Sequence, residues 1–328
     1  MTFACLVTLG RATAEVPSEL GPVESDCVGS TAADCTRLAI RYDEGDGVPQ
    51  SYSRAATLYG QACVDGDGYA CFRLGELNFG GKGRARSHPD AADHFEQACE
   101  LGVAQGCFRL GSMLAHGLGV PRSFDQADDF YGKACELGQG SGCHAQAGLY
   151  EKGRDRPVDL VRAAALYQRS CELGNGVDCS NLGIWYEQGR GVSVDAALAV
   201  RFHEAGCVLG DGLGCRQLGE MYENGRGVSQ DYGRAVELYE RSCESGFGAG
   251  CTSLGALYEA GIGVPHGFAR AADLYARGCD QGDGLGCFRL AVCHDKGLGV
   301  QPDPRASLAL YTRGCRLNET AACLRASR

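Results

Sequence analysis

Apolar residues in this chain recur at helical spacing in short blocks, and the stretch 214–246 shows the pattern most plainly. Cys215, Leu218, Gly219 and Tyr222 stand at i, i+3, i+4 and i+7, with Met221 beside them, which places them on one face of an α-helix. Gly225-Arg226-Gly227-Val228 interrupts the pattern, because paired glycines favour turn conformations. Asp231 is placed to cap a second helix. In that helix Ala235, Leu238, Tyr239, Ser242 and Cys243 again recur at helical spacing, and Gly246 stops the run. The predicted unit is a helix, a glycine-rich loop, a second helix and a short glycine-rich link.

The cysteines show that this unit is repeated. Cys27, Cys63, Cys99, Cys135, Cys171, Cys207, Cys243, Cys279 and Cys315 fall every 36 residues. Each has a partner eight positions on, leaving only Cys5 and Cys293 of the 20 cysteines unpaired. A fixed period of this length marks a repeat array, which overrides the two-domain organisation that 328 residues would otherwise suggest. About eight units run from Ala32 to Asn318, and Thr320–Arg328 reads as an aborted first helix held by Cys323. One helical hairpin cannot bury its own apolar faces, but a stack can, so the expected fold is an all-α solenoid.

Zinc and disulfides compete for the cysteine pairs. Structural zinc sites use closer C-x2–4-C spacing with further ligands nearby, and the seven histidines occupy seven different places in the unit. Disulfides fit better, and no metal or cofactor is expected. The expected bridges are Cys27–Cys35, Cys63–Cys71, Cys99–Cys107, Cys135–Cys143, Cys171–Cys179, Cys207–Cys215, Cys243–Cys251, Cys279–Cys287 and Cys315–Cys323. Each would join the end of one unit's second helix to the start of the next unit's first. Closing so short a loop contributes roughly 2–2.5 kcal/mol in the chain-entropy model, and such bridges persist only in an oxidising compartment.

Composition narrows the function classes. Gly supplies 50 residues and Pro only 9, with 44% hydrophobic residues, which excludes a disordered linker or collagen. Basic residues number 31 against 41 acidic, for a net charge of −10, and the four lysines (Lys82, Lys133, Lys152, Lys296) form no run. Nucleic acid and anionic membrane surfaces are therefore poor partners. No apolar stretch reaches the ~20 residues needed to span a bilayer. Phe3–Gly10 is a short apolar run followed by Ala12-Thr13-Ala14, a small-x-small cleavage pattern, although no basic segment precedes it. The expected organisation is a signal peptide at 1–14, a linker at 15–31 and the solenoid at 32–328, exported to the periplasm or beyond.

Two positions in the unit carry packing. Gly219 recurs as Gly75, Gly111, Gly183 and Gly255, and Ala235 recurs as Ala55, Ala91, Ala127, Ala163 and Ala271, so the two helices can approach closely. The Tyr239 place is filled by Tyr59, Phe95, Tyr131, Tyr167, Tyr275 and Tyr311, an aromatic stripe that reads as core. Unit two departs from the pattern, with Arg84 and Ser87 where Val228 and Asp231 sit, so its loop and cap should differ. Unit four has Gln146-Ala147 for Leu-Gly and Asp155-Arg156 for Gly-Val. Cys293, at the Met221 place, is expected to be a buried free thiol.

The segments Leu218-Gly219-x-x-Tyr222-Glu223-x-Gly225-x-Gly227-Val228 and Arg234-Ala235-x-x-Leu238-Tyr239 resemble the Sel1-like repeat, a relative of the tetratricopeptide repeat. With a C-x7-C pair in every unit, the chain is similar to the bacterial cysteine-rich Sel1-like (Hcp-type) proteins over about 27–323. The resemblance implies a right-handed superhelix, export and one disulfide per repeat. It implies two functions: an adaptor that binds a peptide or protein in its concave groove, or alternatively a penicillin-binding or β-lactamase-like hydrolase.

The residues favour the adaptor. S-x-x-K, S-D-N, K-T-G, G-x-S-x-G, H-x-H and H-E-x-x-H are all absent from the sequence. Glu151, Glu187, Glu223 and Glu259 recur at the end of the first helix and are expected to be solvated or bonded to the loop. In tetratricopeptide-like stacks the first helices line the concave surface, and the places of Gln217, Glu220 and Asn224 share one face there. The Gln217 column reads Arg37, Arg73, Arg109, Ala145, Asn181, Gln217, Ser253 and Arg289, varying while the core repeats. Its three successive arginines are candidates to receive an acidic peptide.

Overall fold

The computed structural model describes residues 31–155 and 157–327. The segment 1–30, with the expected signal peptide, Cys5, Cys27 and nearly all of the expected linker, lies outside them. The described residues form seventeen helices and no strands. Two compact units divide at Leu101 and Gly102. The first holds α1 (Ala32–Glu44), α2 (Tyr52–Val64), α3 (Gly68–Gly80) and α4 (His88–Glu100). The second opens with α5 (Ala104–His116), α6 (Phe124–Glu136), α7 (Gly140–Lys152), α8 (Leu160–Glu172) and α9 (Gly176–Gln188). It continues with α10 (Ala196–Val208), α11 (Gly212–Asn224), α12 (Tyr232–Glu244) and α13 (Gly248–Ala260). It closes with α14 (Phe268–Asp280), α15 (Gly284–Lys296), α16 (Pro304–Arg316) and the short α17 (Thr320–Ala326), the expected incomplete helix.

Local chemistry sets these boundaries. The side chain of Asp231 accepts from the Arg234 N–H at 2.9 Å and starts α12, as its position predicts. Ser87 does the same work for α4, accepting from the Asp90 N–H at 3.3 Å. The cap expected to differ in unit two is therefore an ordinary one, because a serine hydroxyl and an aspartate carboxylate offer the same acceptor. In the loop after α11, Gly227 has φ +72° and a side chain there would meet the Ala196 carbonyl oxygen at 2.5 Å. The glycine is required twice, by its dihedral and by the close approach to α10. Unit four places Asp155 at this point of the loop, at φ +53°, a left-handed conformation that aspartate tolerates better than most residues.

The two helices of a hairpin meet around one ring. A Cβ added to Gly75, Gly111, Gly219 or Gly255 would lie 2.6–2.8 Å from the ring of Phe95, Tyr131, Tyr239 or Tyr275 respectively. The glycine is thus a seat for the ring of the second helix. Phe95 and Tyr275 are fully buried there, each stabilising its hairpin by about 1.5–3 kcal/mol through apolar burial. In the second unit the first helices also pack on one another, α9 on α11, α11 on α13, α13 on α15 and α15 on α17. No two successive second helices there pack as closely, so the first helices form the tighter side of that unit.

Disulfides join successive hairpins. Cys63–Cys71 closes in the first unit. Cys135–Cys143, Cys171–Cys179, Cys207–Cys215, Cys243–Cys251, Cys279–Cys287 and Cys315–Cys323 close in the second. Their Cα atoms are 4.4–4.8 Å apart, so each bridge holds the end of a second helix against the start of the next first helix. Cys293 is a buried free thiol, as expected.

The ring seat gives a direct test. Gly219→Val is expected to unseat Tyr239 and destabilise the oxidised protein by about 1–3 kcal/mol in urea unfolding. An unchanged midpoint would contradict the seat.

Candidate functional site

The carboxylates that end the first helices face the seated rings. Tyr167 donates its hydroxyl to Glu151 at 2.6 Å, Tyr239 to Glu223 at 2.6 Å, Tyr275 to Glu259 at 2.5 Å and Tyr311 to Asp295 at 2.7 Å. In the first unit Tyr59 donates to Asp43 at 3.2 Å. His203 takes the ring's place once, with Nε2 2.9 Å from Glu187. Ring and carboxylate are always sixteen residues apart. The recurring glutamates tie together the two helices of their own repeat, a partner on the second helix that the sequence did not suggest, while Glu151 and Glu187 also bond an arginine of a glycine-rich loop, as it did.

The same carboxylates reach the next repeat. Arg190 lies 2.8 Å from Glu151, Arg226 lies 2.9 Å from Glu187, and Arg289 lies 3.8 Å from Glu259. Burial, and then the facing carboxylate, pushes the Tyr167, Tyr239 and Tyr275 hydroxyls far above the ordinary phenol range. Tyr311 is pushed up to about 12. The phenols therefore stay protonated and donate. The bond from His203, followed by the Arg226 charge, holds Glu187 below the usual carboxylate range.

This network claims several of the expected groove residues. Arg37 is exposed but pairs with Asp34 on its own helix, and Arg73 is drawn onto the buried carboxylate of Asp43. Two of the three successive arginines are thus already engaged within the first unit. Arg109 is exposed on α5 in the second unit. Gln217 accepts from Arg216 at 2.6 Å, Glu220 pairs with Arg216 and Arg226 at 3.3 and 3.2 Å, and Asn224 donates to the Glu220 carbonyl at 2.9 Å. Gln217, Glu220 and Asn224 are therefore brought together on α11, whereas Asn181 is half-buried on α9 and takes no part in these bonds.

A cavity that the sequence reading missed lies in the second unit among α5, α6, α7 and α8. Its volume is about 430 Å³, and Ala115, Phe124, Tyr131, His144, Leu149 and Tyr167 are among the residues that line it, with Arg122, Lys152 and Arg154 at its cationic side. Ala115 occupies the carboxylate's place in the column, and Tyr131 lines the same cavity. The legible signal was an alanine in a column otherwise mostly Asp or Glu. His144 at the rim holds the fully buried Asp178 through Nδ1 at 2.8 Å, and that bond raises its pKa above the ordinary imidazole value.

No described histidine hydrogen-bonds a hydroxyl or thiol side chain. Burial pushes the Cys293 thiol up to about 11, away from a reactive thiolate. Among the described residues no group of three or more His, Cys, Asp or Glu is arranged to hold a metal.

Two measurements test these assignments. Tyr239→Phe keeps the ring but removes a hydrogen bond to a carboxylate, and is expected to cost about 1.5–3 kcal/mol in urea unfolding. Tyr131→Phe, opposite Ala115, should cost clearly less; equal losses would contradict the ring–carboxylate joint. The raised His144 pKa gives stability that is present below its unfolded value of about 6.5 and lost as pH rises through its folded value. His144→Gln should therefore narrow the drop in melting temperature between pH 6 and pH 8, and an unaltered drop would exclude His144 as its source.

The Sel1 repeat matches residues 32–67, 68–103, 104–139, 143–175, 178–211, 212–247, 248–283 and 284–319. A protective antigen of uropathogenic Escherichia coli strains, described as displaying an SLR fold, is similar at 26% identity and TM-score 0.80. The match covers 93% of this chain but 65% of that one, so this chain spans about two thirds of its length. A Sel1 repeat protein from Oxalobacter formigenes is similar in fold at 21% identity and TM-score 0.73, over 92% of this chain and 87% of that one. The cysteine rich protein B of Helicobacter pylori shares 31% identity over 38% of this chain and 90% of its own, with a TM-score of 0.32. No curated protein matches the sequence. Eight consecutive matches, the helical hairpins and the bridge between successive hairpins together show that this chain belongs to the Sel1 repeat family.

Proposed function

We propose that this chain is an exported, disulfide-stapled scaffold that binds a peptide or protein segment on its first-helix face. One observation carries the reading: first-helix positions outside the core change from repeat to repeat, while the ring, its seat and the cysteines recur. The Gln217 column runs through Arg, Ala, Asn, Gln and Ser, a variety that packing does not demand. In repeat proteins the extended inner surface, assembled from many short repeats, is what meets a ligand. The tighter first-helix side of the second unit supplies such a surface.

Export is supported by the bridges, since cytosolic thiol buffers keep most cysteines reduced. No described helix is long and apolar enough to cross a membrane. The E. coli relative carries the description of a protective antigen, in keeping with a place outside the cytoplasm. No observation on this chain favours the hydrolase alternative.

Random-peptide display against the oxidised protein is expected to enrich segments whose binding falls at least tenfold in Asn181→Arg or Gln217→Arg. Val161→Ser, on the exposed side of α8, should leave that binding unchanged. Failure to enrich any segment, or indifference to both first-helix substitutions, would contradict the reading. Purified protein should hydrolyse nitrocefin no faster than buffer.

A further inference from the structure

Six of the eight repeats carry a carboxylate at the end of the first helix, at Asp43, Glu151, Glu187, Glu223, Glu259 and Asp295. The two exceptions differ in kind. In the second repeat Phe79 replaces the carboxylate and Phe95 stands at the ring position, so the hydroxyl and its acceptor are lost together. In the third repeat only the carboxylate is lost: Ala115 faces Tyr131, which keeps its hydroxyl. The cavity of about 430 Å³ opens at that place.

Its charge is one-sided. Arg122, Lys152 and Arg154 border the cavity, and none of them is within ion-pair distance of a carboxylate among the described residues. The nearby Glu151 is already bonded by Tyr167 and Arg190. Arg122 and Arg154 stand over the ring of Phe124, 5.4 and 6.0 Å from its centroid, which combines fixed positive charge with an aromatic wall. A guanidinium binds a carboxylate through paired N–H donors.

We propose that this cavity is the acidic-residue subsite of the binding face, in which a ligand's carboxylate takes the place that Ala115 leaves empty. The assignment rests on the peptide-binding reading and adds the chemistry of the segment bound. The volume suits one or two residues of an extended peptide, and the column shows that the fold already accommodates a carboxylate at this point in six other repeats.

The test uses the oxidised full chain and a blocked hexapeptide with one glutamate in an alanine background, read by calorimetry and chemical-shift mapping. Replacing the peptide's glutamate by glutamine, or making the double variant Arg122→Gln/Lys152→Gln, is expected to weaken binding at least tenfold. Ala115→Glu returns a carboxylate to the column and is expected to abolish peptide binding while raising the melting temperature. The subsite is overturned if the peptide fails to bind, if the glutamine peptide binds equally, or if Ala115→Glu lowers the melting temperature and leaves binding intact. Display-selected segments that bind the first-helix face without dependence on Arg122 and Lys152 would overturn the subsite and leave the broader reading standing.

Discussion

Six of the eight hairpins turn on a single buried tyrosine whose hydroxyl must find an acceptor. Two antiparallel helices joined by a short loop share too little apolar surface to hold one relative angle by themselves. The ring of the second helix fixes that angle by settling on a small residue of the first, at Gly75, Gly111, Gly219 and Gly255 a glycine where an added methyl would lie within 2.6–2.8 Å of it. Burying a phenol without a partner would cost much of what the ring contributes, and a carboxylate sixteen residues earlier removes that cost. In three repeats of the second unit the same carboxylate also pairs with an arginine of the following repeat. The joint inside a repeat and the joint between repeats therefore share an atom group, and the disulfides fix the remaining degree of freedom at the link.

Much of this was legible in the sequence. The 36-residue period, the helix–loop–helix unit, the cysteine pairs and the small residues beneath the aromatic stripe all follow from spacing, because backbone geometry turns spacing directly into a shared face. The free thiol of Cys293 was legible for the same reason: it breaks the cysteine register and falls on a core position. The role of Ser87 was misjudged by attending to residue identity rather than to the acceptor that the residue supplies.

Long side chains were not legible. Arg73 was assigned to a groove by its column, yet its guanidinium turns to the buried Asp43, thirty residues earlier. Periodicity says which face a Cβ occupies and nothing about where four further bonds carry the charge. The recurring glutamates were legible only in part: the loop arginines bonded to Glu151 and Glu187 fit the expectation, but the ring on the second helix sixteen residues on does not show in the spacing. The cavity at Ala115 was invisible until the joint was known, because a missing carboxylate means something only once its acceptor role is established.

The account stands or falls on the energetic coupling between ring and carboxylate. A double-mutant cycle of Tyr239→Phe and Glu223→Gln, measured by urea unfolding of the oxidised protein, isolates that coupling from the effects of each substitution alone. The predicted result is a coupling energy of about 1–3 kcal/mol. Strictly additive effects would show that the hydroxyl and the carboxylate are neighbours without being partners, and would contradict the account.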